Sequence, residues 1–171
     1  MRIKVRPATT ADTKKLSVLF KQVYIQTYGK EGVSDEFANF ITEHFSIERI
    51  TETIKTIPDS IFVAEYKRNL VGVLQVDYDK PCPIEDFIAP ELNKIYILEW
   101  FCGQGIGKLL VTHAENVLRK KGYGAVWLWL LATNDRARTF YLKHQYEVLG
   151  NAPFVMEENT YDNLVMRKSL L

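Results

Sequence analysis

The sequence predicts a mixed α/β fold in a single domain that spans residues 1–171, and three observations support this prediction. Apolar residues recur at helical spacing as far as Pro58 and then alternate, as they do in strands, from Ile61 onward. The run from Ala125 to Leu131 is almost wholly apolar, which is typical of a central strand covered on both faces. The length of 171 residues and the apolar content of 47% suffice for one sizeable core.

A short strand and three helices are predicted for the first third of the chain. Thr9 and Asp12 have the spacing of a capping box at the start of the first helix. Ser34 is placed to cap the second helix, and Pro58 ends the third. The apolar stripes of the three helices are Leu16, Leu19, Phe20, Val23 and Tyr24, then Phe37, Phe40, Ile41 and Phe45, then Ile47, Ile50, Ile54 and Ile57.

Strands dominate the pattern after Pro58. Residues 61–66 and 71–78 predict two strands joined by a tight turn, and the proline-rich segment 79–90 predicts a loop. The helix predicted to begin near Gly105 ends at Gly122, with an apolar face of Ile106, Leu109, Leu110, Ala114, Val117 and Leu118. The remaining predicted elements are strands at 92–98, 125–131, 146–149 and 164–166, and a helix that Asn134 or Asp135 caps and that continues through Leu142.

The segment from Cys102 to Lys108 combines three alternating glycines with the start of an amphipathic helix. Such a turn directs backbone N–H groups at an anion near the positive end of the helix, so it predicts a ligand that carries phosphate. The nucleoside-triphosphate loop is excluded because three residues, not four, separate Gly103 from Gly107, and Leu109 replaces the hydroxyl residue. The dinucleotide fingerprint is excluded because Lys108 occupies its third glycine position. An ordinary tight turn is the alternative.

Composition excludes several classes of function. The net charge is +1, and the chain has no basic tract that would favour nucleic acid or a polybasic membrane patch. No apolar run approaches the ~18 residues of a membrane span, and the start of the chain is unlike a signal peptide. Cys82 and Cys102 have no partner pattern, so a reduced, cytoplasmic protein is expected. Three histidines and the lack of a C-x-x-C pair argue against structural zinc, and no metal is expected.

The glycine loop resembles motif A of the GNAT superfamily, the Gcn5-related N-acetyltransferases, whose loop reads Q/R-x-x-G-x-G/A. Here the loop reads Cys102-Gly103-Gln104-Gly105-Ile106-Gly107, with Cys102 where the family usually has Gln or Arg. The predicted element order is also that of GNAT enzymes, so the resemblance covers essentially the whole chain. It implies a mostly antiparallel sheet of about six to seven strands with helices on both faces. It also implies acetyl-CoA as cosubstrate.

The resemblance further implies where the cosubstrate binds. Backbone amides of the loop hold the pyrophosphate, and the end of the preceding strand pairs with the pantetheine arm as a further strand would. The family's N-x-x-A-x-x-F-Y motif is matched by Asn134, Ala137, Phe140 and Tyr141, and its Asn usually contacts the cofactor. The binding residues expected on this basis are Ile97, Leu98, Gln104, Gly105, Ile106, Gly107, Lys108 and Asn134.

Two residues are candidates for proton transfer. Tyr141 matches the usual general acid of the family, and a phenol with a pKa of ~10 is protonated at neutral pH and suits donation to a departing thiolate. The helical spacing of Ala137, Phe140 and Tyr141 fits core packing as well. Glu91 lies six residues before Ile97 and matches the catalytic glutamate of some GNAT enzymes. A water chain as the base and a merely solvated carboxylate are the alternatives for Glu91.

A closer resemblance is to the PaiA-type spermidine/spermine acetyltransferases. It implies a polyamine acceptor that attacks the thioester directly in a ternary complex. The alternatives are an acetyltransferase for a protein N-terminus, a lysine or an aminoglycoside, and a non-catalytic acyl-CoA-binding regulator. A small-molecule amine and CoA are the expected partners, without nucleic acid or membrane, and a homodimer is left open. The segments that carry this resemblance are Ser46-Ile47-Glu48, Asn93-Lys94-Ile95-Tyr96-Ile97 and Tyr161-Asp162-Asn163-Leu164-Val165-Met166.

Overall fold

The computed structural model describes residues 2–156 and 159–171, and within these ranges it contains seven strands and five α-helices. The strands are β1 (Lys4–Pro7), β2 (Ile61–Tyr66), β3 (Asn69–Pro81), β4 (Ile88–Ile97), β5 (Ala125–Leu131), β6 (Glu147–Met156) and β7 (Asn159–Ser169). The helices are α1 (Thr13–Tyr28), α2 (Asp35–His44), α3 (Ile47–Thr56), α4 (Ile106–Lys120) and α5 (Asp135–Lys143). Short 3₁₀ helices cover Thr10–Asp12 and Glu99–Phe101.

All seven strands belong to one sheet with the order β1-β2-β3-β4-β5-β7-β6. The pairs β1–β2, β2–β3, β5–β7 and β6–β7 are antiparallel, whereas β4 and β5 are parallel. A parallel pair needs a crossover connection, and the chain provides one in α4, which lies between β4 and β5 in sequence. The prediction of a mixed, mostly antiparallel sheet of about six to seven strands is therefore confirmed.

Two compact units make up the fold. The first comprises Met1–Gln75 and Lys94–Ala114, and the second comprises Val76–Asn93 and Glu115–Leu171. In the first unit, one face of β2 presents Ile61 to a buried cluster that includes residues of α1, α2 and α3. On the other face, the ring of Phe62 lies 5.1 Å from that of His113 in α4. Helices therefore pack on both faces of this part of the sheet, as predicted.

A partly buried ion-pair network fixes the start of α1 in the first unit. The two terminal nitrogens of Arg6 donate to the two carboxylate oxygens of Asp12 at 2.7 and 3.0 Å. Arg6 also donates to Glu65 of β2 at 2.8 Å, and the backbone N–H of Thr9 donates to Asp12 at 2.9 Å. The hydrogen bonds from Arg6 lower the pKa of Asp12 to about 2. The capping residues predicted from sequence thus also anchor the helix to the sheet.

In the second unit, β5 lies between β4 and β7 and contributes side chains to two faces. On one face, Trp127 is buried with Ala89 of β4 and Val165 of β7, and Trp129 packs against this cluster. On the other face, Leu128 is fully buried, as predicted for a central strand. Alternation along β5 therefore separates a face rich in aromatic side chains from an aliphatic one.

The structure corrects three boundaries and one face. The predicted loop 79–90 is shorter than expected, because β3 continues to Pro81 and β4 begins at Ile88. Strands β6 and β7 are longer than predicted, because Pro153 and the polar residues in them obscure the alternation. Pro153 is tolerated because β6 is an edge strand. Leu109, predicted on the apolar face of α4, is 46% exposed because it lies on the opposite side of the helix from the buried Leu118.

Candidate active site

The glycine loop adopts a backbone that requires its glycines. Gly103 and Gly105 have φ values of 76° and 80°, in the left-handed region that side-chain-bearing residues adopt only with strain. A Cβ atom at either position would meet nothing within 4 Å among the described residues. The space in front of both glycines is therefore open to a ligand that approaches the backbone.

The first turn of α4 completes an anion site. The carbonyl of Gly105 accepts a hydrogen bond from the N–H of Leu109 at 3.1 Å, which makes Gly105 the N-cap of the helix. In this position the N–H groups of Ile106, Gly107 and Lys108 have no acceptor within the helix, and the helix dipole adds positive potential. Donors, dipole and open space together fit a pyrophosphate group.

Side chains of the loop stabilise its conformation. The side-chain amide of Gln104 donates to the carbonyl of Trp100 at 2.8 Å. The thiol of Cys102 turns back toward the end of β4, where its sulfur lies 3.8 Å from the carbonyl oxygen of Ile97. Phe101 packs against Tyr66, whereas Trp100 is 91% exposed. The substitution of Cys102 for the usual Gln or Arg therefore leaves the backbone donors in place.

At the end of β4, the backbone groups of Leu98 point toward β3 and those of Ile97 point to the other side of the strand. The N–H of Leu98 donates to the carbonyl of Val71 in β3 at 3.0 Å, so the sheet uses this donor. Backbone groups of neighbouring strand residues alternate in direction, so those of Ile97 face away from β3. Of these two predicted contacts to pantetheine, Ile97 has the favourable orientation.

Asn134 caps α5 directly after β5. Its side-chain oxygen accepts a hydrogen bond from the N–H of Ala137 at 3.1 Å, and its own N–H donates to the carbonyl of Leu131 at 2.8 Å. The prediction of a cap at this position is confirmed. Because the cap uses the oxygen, the NH₂ group is the part of this side chain that could donate to a ligand.

Tyr141 is 5% exposed and belongs to the end of α5. Its carbonyl accepts a hydrogen bond from the N–H of Tyr146, and the N–H of Gln145 donates to the carbonyl of Leu142, both at 3.1 Å. These two bonds define a Schellman motif, which a contact between the two flanking side chains commonly accompanies. Here the rings of Tyr141 and Tyr146 form that contact, at 5.2 Å and close to edge-to-face.

Tyr146 connects Tyr141 to a buried ion pair that our sequence analysis missed. The hydroxyl of Tyr146 donates to Glu115 at 3.1 Å, and the ammonium group of Lys168 donates to both oxygens of Glu115 at 2.8 and 2.9 Å. Burial, reinforced by the Glu115 carboxylate, raises the pKa of Tyr146 well above its usual value. One signal in the sequence could have predicted this pair. Glu115 lies three residues before Leu118 and therefore on the apolar face of α4, where a buried acid needs a partner.

Glu91 is buried within β4, with 6% of its surface exposed, and lies opposite Trp127 of β5. The alternative of a solvated carboxylate is therefore wrong. Asn93, two residues further along the same face, donates to Asp77 of β3 at 2.6 Å. This part of the second unit thus combines two acidic side chains, an amide and a tryptophan.

The structure brings the predicted site residues together in two groups. Ile97, Leu98 and the loop residues 104–108 lie in the first unit, and Glu91, Asn134 and Tyr141 lie in the second. Residues 30–146, which include all of them, match the acetyltransferase (GNAT) family. The chain belongs to the GNAT family. It is an N-acetyltransferase with acetyl-CoA as its cosubstrate, as the resemblance of the glycine loop to motif A implied.

Relatives of this GNAT chain cover nearly all of its length. An uncharacterized N-acetyltransferase encoded in the pepI 3′ region of Lactobacillus delbrueckii subsp. lactis is 21% identical over 170 residues, 99% of this chain and 98% of that protein. The spermidine N(1)-acetyltransferase of Thermoplasma acidophilum is 24% identical over 166 residues, 92% and 98% of the two chains. The structure of the PaiA N-acetyltransferase from Thermoplasma acidophilum in complex with coenzyme A superimposes with a TM-score of 0.77, at 22% identity, over 99% of both chains. These similarities support the PaiA-type resemblance.

Within residues 2–156 and 159–171, no helix is long and apolar enough to span a membrane.

Proposed function

We propose that this GNAT enzyme acetylates a primary amine of a polyamine, such as spermidine or spermine, by direct attack in a ternary complex. The observation that carries the proposal is the buried Glu91, which lies opposite Trp127 on a sheet face that also holds the Asp77–Asn93 pair. Carboxylates and aromatic rings are the groups that attract alkylammonium ions. The similarity to a spermidine N(1)-acetyltransferase supports the same acceptor class.

Acetyl-CoA supplies the activated thioester when bound, and residues of this chain hold it in place. The backbone amides of Gln104, Gly105, Ile106, Gly107 and Lys108 bind the pyrophosphate, and Ile97 with Leu98 flanks the pantetheine arm. The NH₂ group of Asn134 donates a further hydrogen bond to the cosubstrate. Holding the amine and the thioester in reacting geometry contributes on the order of 7–11 kcal/mol in the best cases.

Glu91 and Tyr141 move the protons in this proposal. The acceptor enters as an ammonium ion, and the Glu91 carboxylate removes its proton through water so that the nitrogen lone pair is free to form the new C–N bond. The C–S bond breaks, and the phenol of Tyr141 donates its proton to the sulfur. The amide nitrogen releases its second proton to solvent, Glu91 passes the proton that it accepted to solvent, and Tyr141 is reprotonated from solvent.

Release of free thiol from acetyl-CoA tests the acceptor class. Spermidine, spermine, lysine, an N-terminal peptide and an aminoglycoside are supplied in turn to the purified protein. We expect turnover with the polyamines that falls as salt is added, because the attraction between charges is screened. Turnover of the peptide or the aminoglycoside with inert polyamines would refute the acceptor class. Binding of acetyl-CoA without turnover of any amine would favour the regulator.

Tyr141→Phe tests the general acid and preserves the ring. We expect kcat to fall by about 100-fold or more, with little change in KM for acetyl-CoA, because the loss is confined to the transition state. Tyr123→Phe is the matched control, since it removes one hydroxyl from a tyrosine of the second unit that has no role in the proposed mechanism. A Tyr141→Phe enzyme with the kcat of the wild type would remove Tyr141 from the mechanism.

We also infer a reducing, cytoplasmic location, which agrees with the free thiols of Cys82 and Cys102. Thiol titration of the protein from intact cells under denaturing conditions checks this inference. A disulfide between the two cysteines would contradict it.

A further inference from the structure

Asn163 of β7 is a buried polar residue whose hydrogen bonding the fold leaves incomplete. It is 8% exposed, and its side-chain oxygen has no hydrogen-bond partner among the described residues. The buried Asp12 and Glu115, by contrast, have partners in Arg6 and Lys168. An unsatisfied buried acceptor destabilises a protein, so its presence calls for an explanation.

The strand register places Asn163 on the aromatic face of the second unit. Asn163 lies opposite Leu131 of β5, and Val165, two residues further along β7, lies opposite Trp129. Residues directly opposite in an antiparallel pair share a face, and so do residues two apart in one strand. Asn163 is therefore on the same face as Trp129. The ring of Phe154 from β6 lies 5.6 Å from that of Trp129 and extends this face.

The same face carries the carboxylates of the proposed acceptor site. Trp127, two residues before Trp129, lies opposite Glu91 of β4. Asn93 follows Glu91 on that face and donates to Asp77. Oxygen acceptors from three strands, β3, β4 and β7, therefore lie on one face of the sheet in the second unit.

Arg167 is a cation on this face that already has carboxylate partners. Arg167, which lies opposite Trp127, is neutralised by Glu85 and Glu147, each at 2.7 Å. An alkylammonium group has only hydrogen-bond donors, so it complements oxygen acceptors beside aromatic rings.

We propose that the side-chain oxygen of Asn163 accepts a hydrogen bond from the distal ammonium group of an acceptor whose reacting amine lies at Glu91. This inference rests on the proposed function. Asn163 is opposite Leu131, four residues along β5 from Trp127, and β4 and β7 lie on either side of β5, so Asn163 and Glu91 are separated by about 13 Å along the strands and about 10 Å across them. An extended polyamine carries ammonium groups separated on this scale, whereas a monoamine reaches one end of the face only. Asn163 is thus a specificity residue for multiply charged amines.

Asn163→Leu removes the acceptor oxygen and approximately preserves the volume. Spermidine serves as the substrate, and 1,8-diaminooctane and octylamine serve as competitive inhibitors of its acetylation. The two inhibitors have the same chain length, but only the diamine carries a second ammonium group. We expect the variant to raise KM for spermidine and the inhibition constant of the diamine at least about tenfold, or 1.4 kcal/mol. The inhibition constant of octylamine and KM for acetyl-CoA stay unchanged.

Ser60→Ala is the matched control, because Ser60 is 1% exposed and its hydroxyl is the other buried group without a partner among the described residues. Replacing either unsatisfied group by an apolar one is expected to raise Tm, but Ser60→Ala leaves every amine constant unchanged. A raised Tm for Asn163→Leu with an unchanged ratio of diamine to octylamine would show that Asn163 is only unsatisfied, and would overturn the inference.

A second variant keeps the test independent of folding. Asn163→Asp has almost the same shape and adds a negative charge, so we expect tighter binding of the diamine relative to octylamine. An unchanged or weaker preference overturns the inference even if Asn163→Leu does not fold. Failure of the wild-type protein to acetylate spermidine overturns the proposed function together with this inference. Spermidine turnover with an unchanged preference in both variants overturns the inference alone.

Discussion

Gly105→Ala tests the two reasons why the loop needs a glycine at this position, namely its left-handed backbone and the close approach of a ligand. Gly105 has a φ of 80°, and a Cβ atom there would enter space in which no described residue lies within 4 Å. The substitution therefore adds backbone strain and one methyl group on the side that is open to a ligand. The first effect is measured as stability, and the second as affinity for CoA.

The magnitudes of the two effects follow from the backbone. A left-handed conformation costs a residue with a side chain roughly 1–2 kcal/mol, and the loss of glycine entropy in the unfolded chain offsets part of this, so the net destabilisation is about 1 kcal/mol. For a chain of this size that corresponds to a fall in Tm of about 2–4 °C. The added methyl group keeps the phosphate from approaching the loop closely enough to accept one of its N–H hydrogen bonds. Losing one hydrogen bond to a charged group costs about 1.5–3 kcal/mol, so CoA affinity falls at least about tenfold.

Gly122→Ala is the matched control, because it imposes the same strain where no ligand is expected. Gly122 follows the end of α4 with a φ of 88°, and a Cβ atom there also meets nothing within 4 Å among the described residues. Thermal unfolding gives the stability of both variants, and isothermal titration with CoA gives the affinity. We expect equal losses of stability and a loss of affinity in Gly105→Ala alone. Equal CoA affinity in the two variants would refute the phosphate-loop assignment.

Three further predictions concern stability. Gln145 has a φ of 67° in the Schellman motif of α5, so Gln145→Gly is expected to raise the free energy of unfolding in urea by about 1 kcal/mol with unchanged kcat, and a decrease would contradict the strain argument. The pKa of Asp12 is lowered to about 2, so its carboxylate stabilises the fold above pH 4 and loses this effect as the pH falls toward 2. Asp12→Asn should therefore remove about 2 kcal/mol at pH 7 and flatten the acid limb of stability, and an unchanged limb would exclude the Arg6 pair as its source. Lys168→Met removes both ammonium hydrogen bonds to the buried Glu115 and leaves Arg119, 3.6 Å away, as its remaining cation, so we expect a cost of about 1.5–3 kcal/mol, whereas a combined Lys168→Met and Glu115→Leu variant should recover most of it.

Features that depend on neighbouring residues in the chain were predictable from the sequence. The hydroxyl of Ser34 accepts a hydrogen bond from the N–H of Phe37, and the amide of Asn134 caps α5, because each cap lies within one helical turn of its partner. The glycine loop was predictable for the same reason, since the left-handed conformations of Gly103 and Gly105 are local requirements.

Features that depend on distant partners were not predictable. The polar residues of β7 weaken its alternation, and the strand forms because β5 and β6 supply hydrogen bonds on both of its edges. Glu115 lies on the apolar side of α4, and its partners Lys168 and Tyr146 are 53 and 31 residues away in sequence. Asn163 could be identified only once the register showed which face it occupies, because a single asparagine in a strand carries no signal of burial.

Tyr141 shows why spacing alone cannot separate packing from chemistry. Its position on the apolar side of α5 fits core packing, and its burial and its contact with Tyr146 confirm that it packs. A general acid must also be held in one orientation, since proton transfer requires hydrogen-bond geometry. The Schellman motif ties the backbone of Tyr141 to that of Tyr146, and Glu115 anchors the hydroxyl of Tyr146. Packing is therefore the means by which the fold would orient the Tyr141 phenol, so kinetics of the Tyr141→Phe enzyme, rather than burial, decides its role.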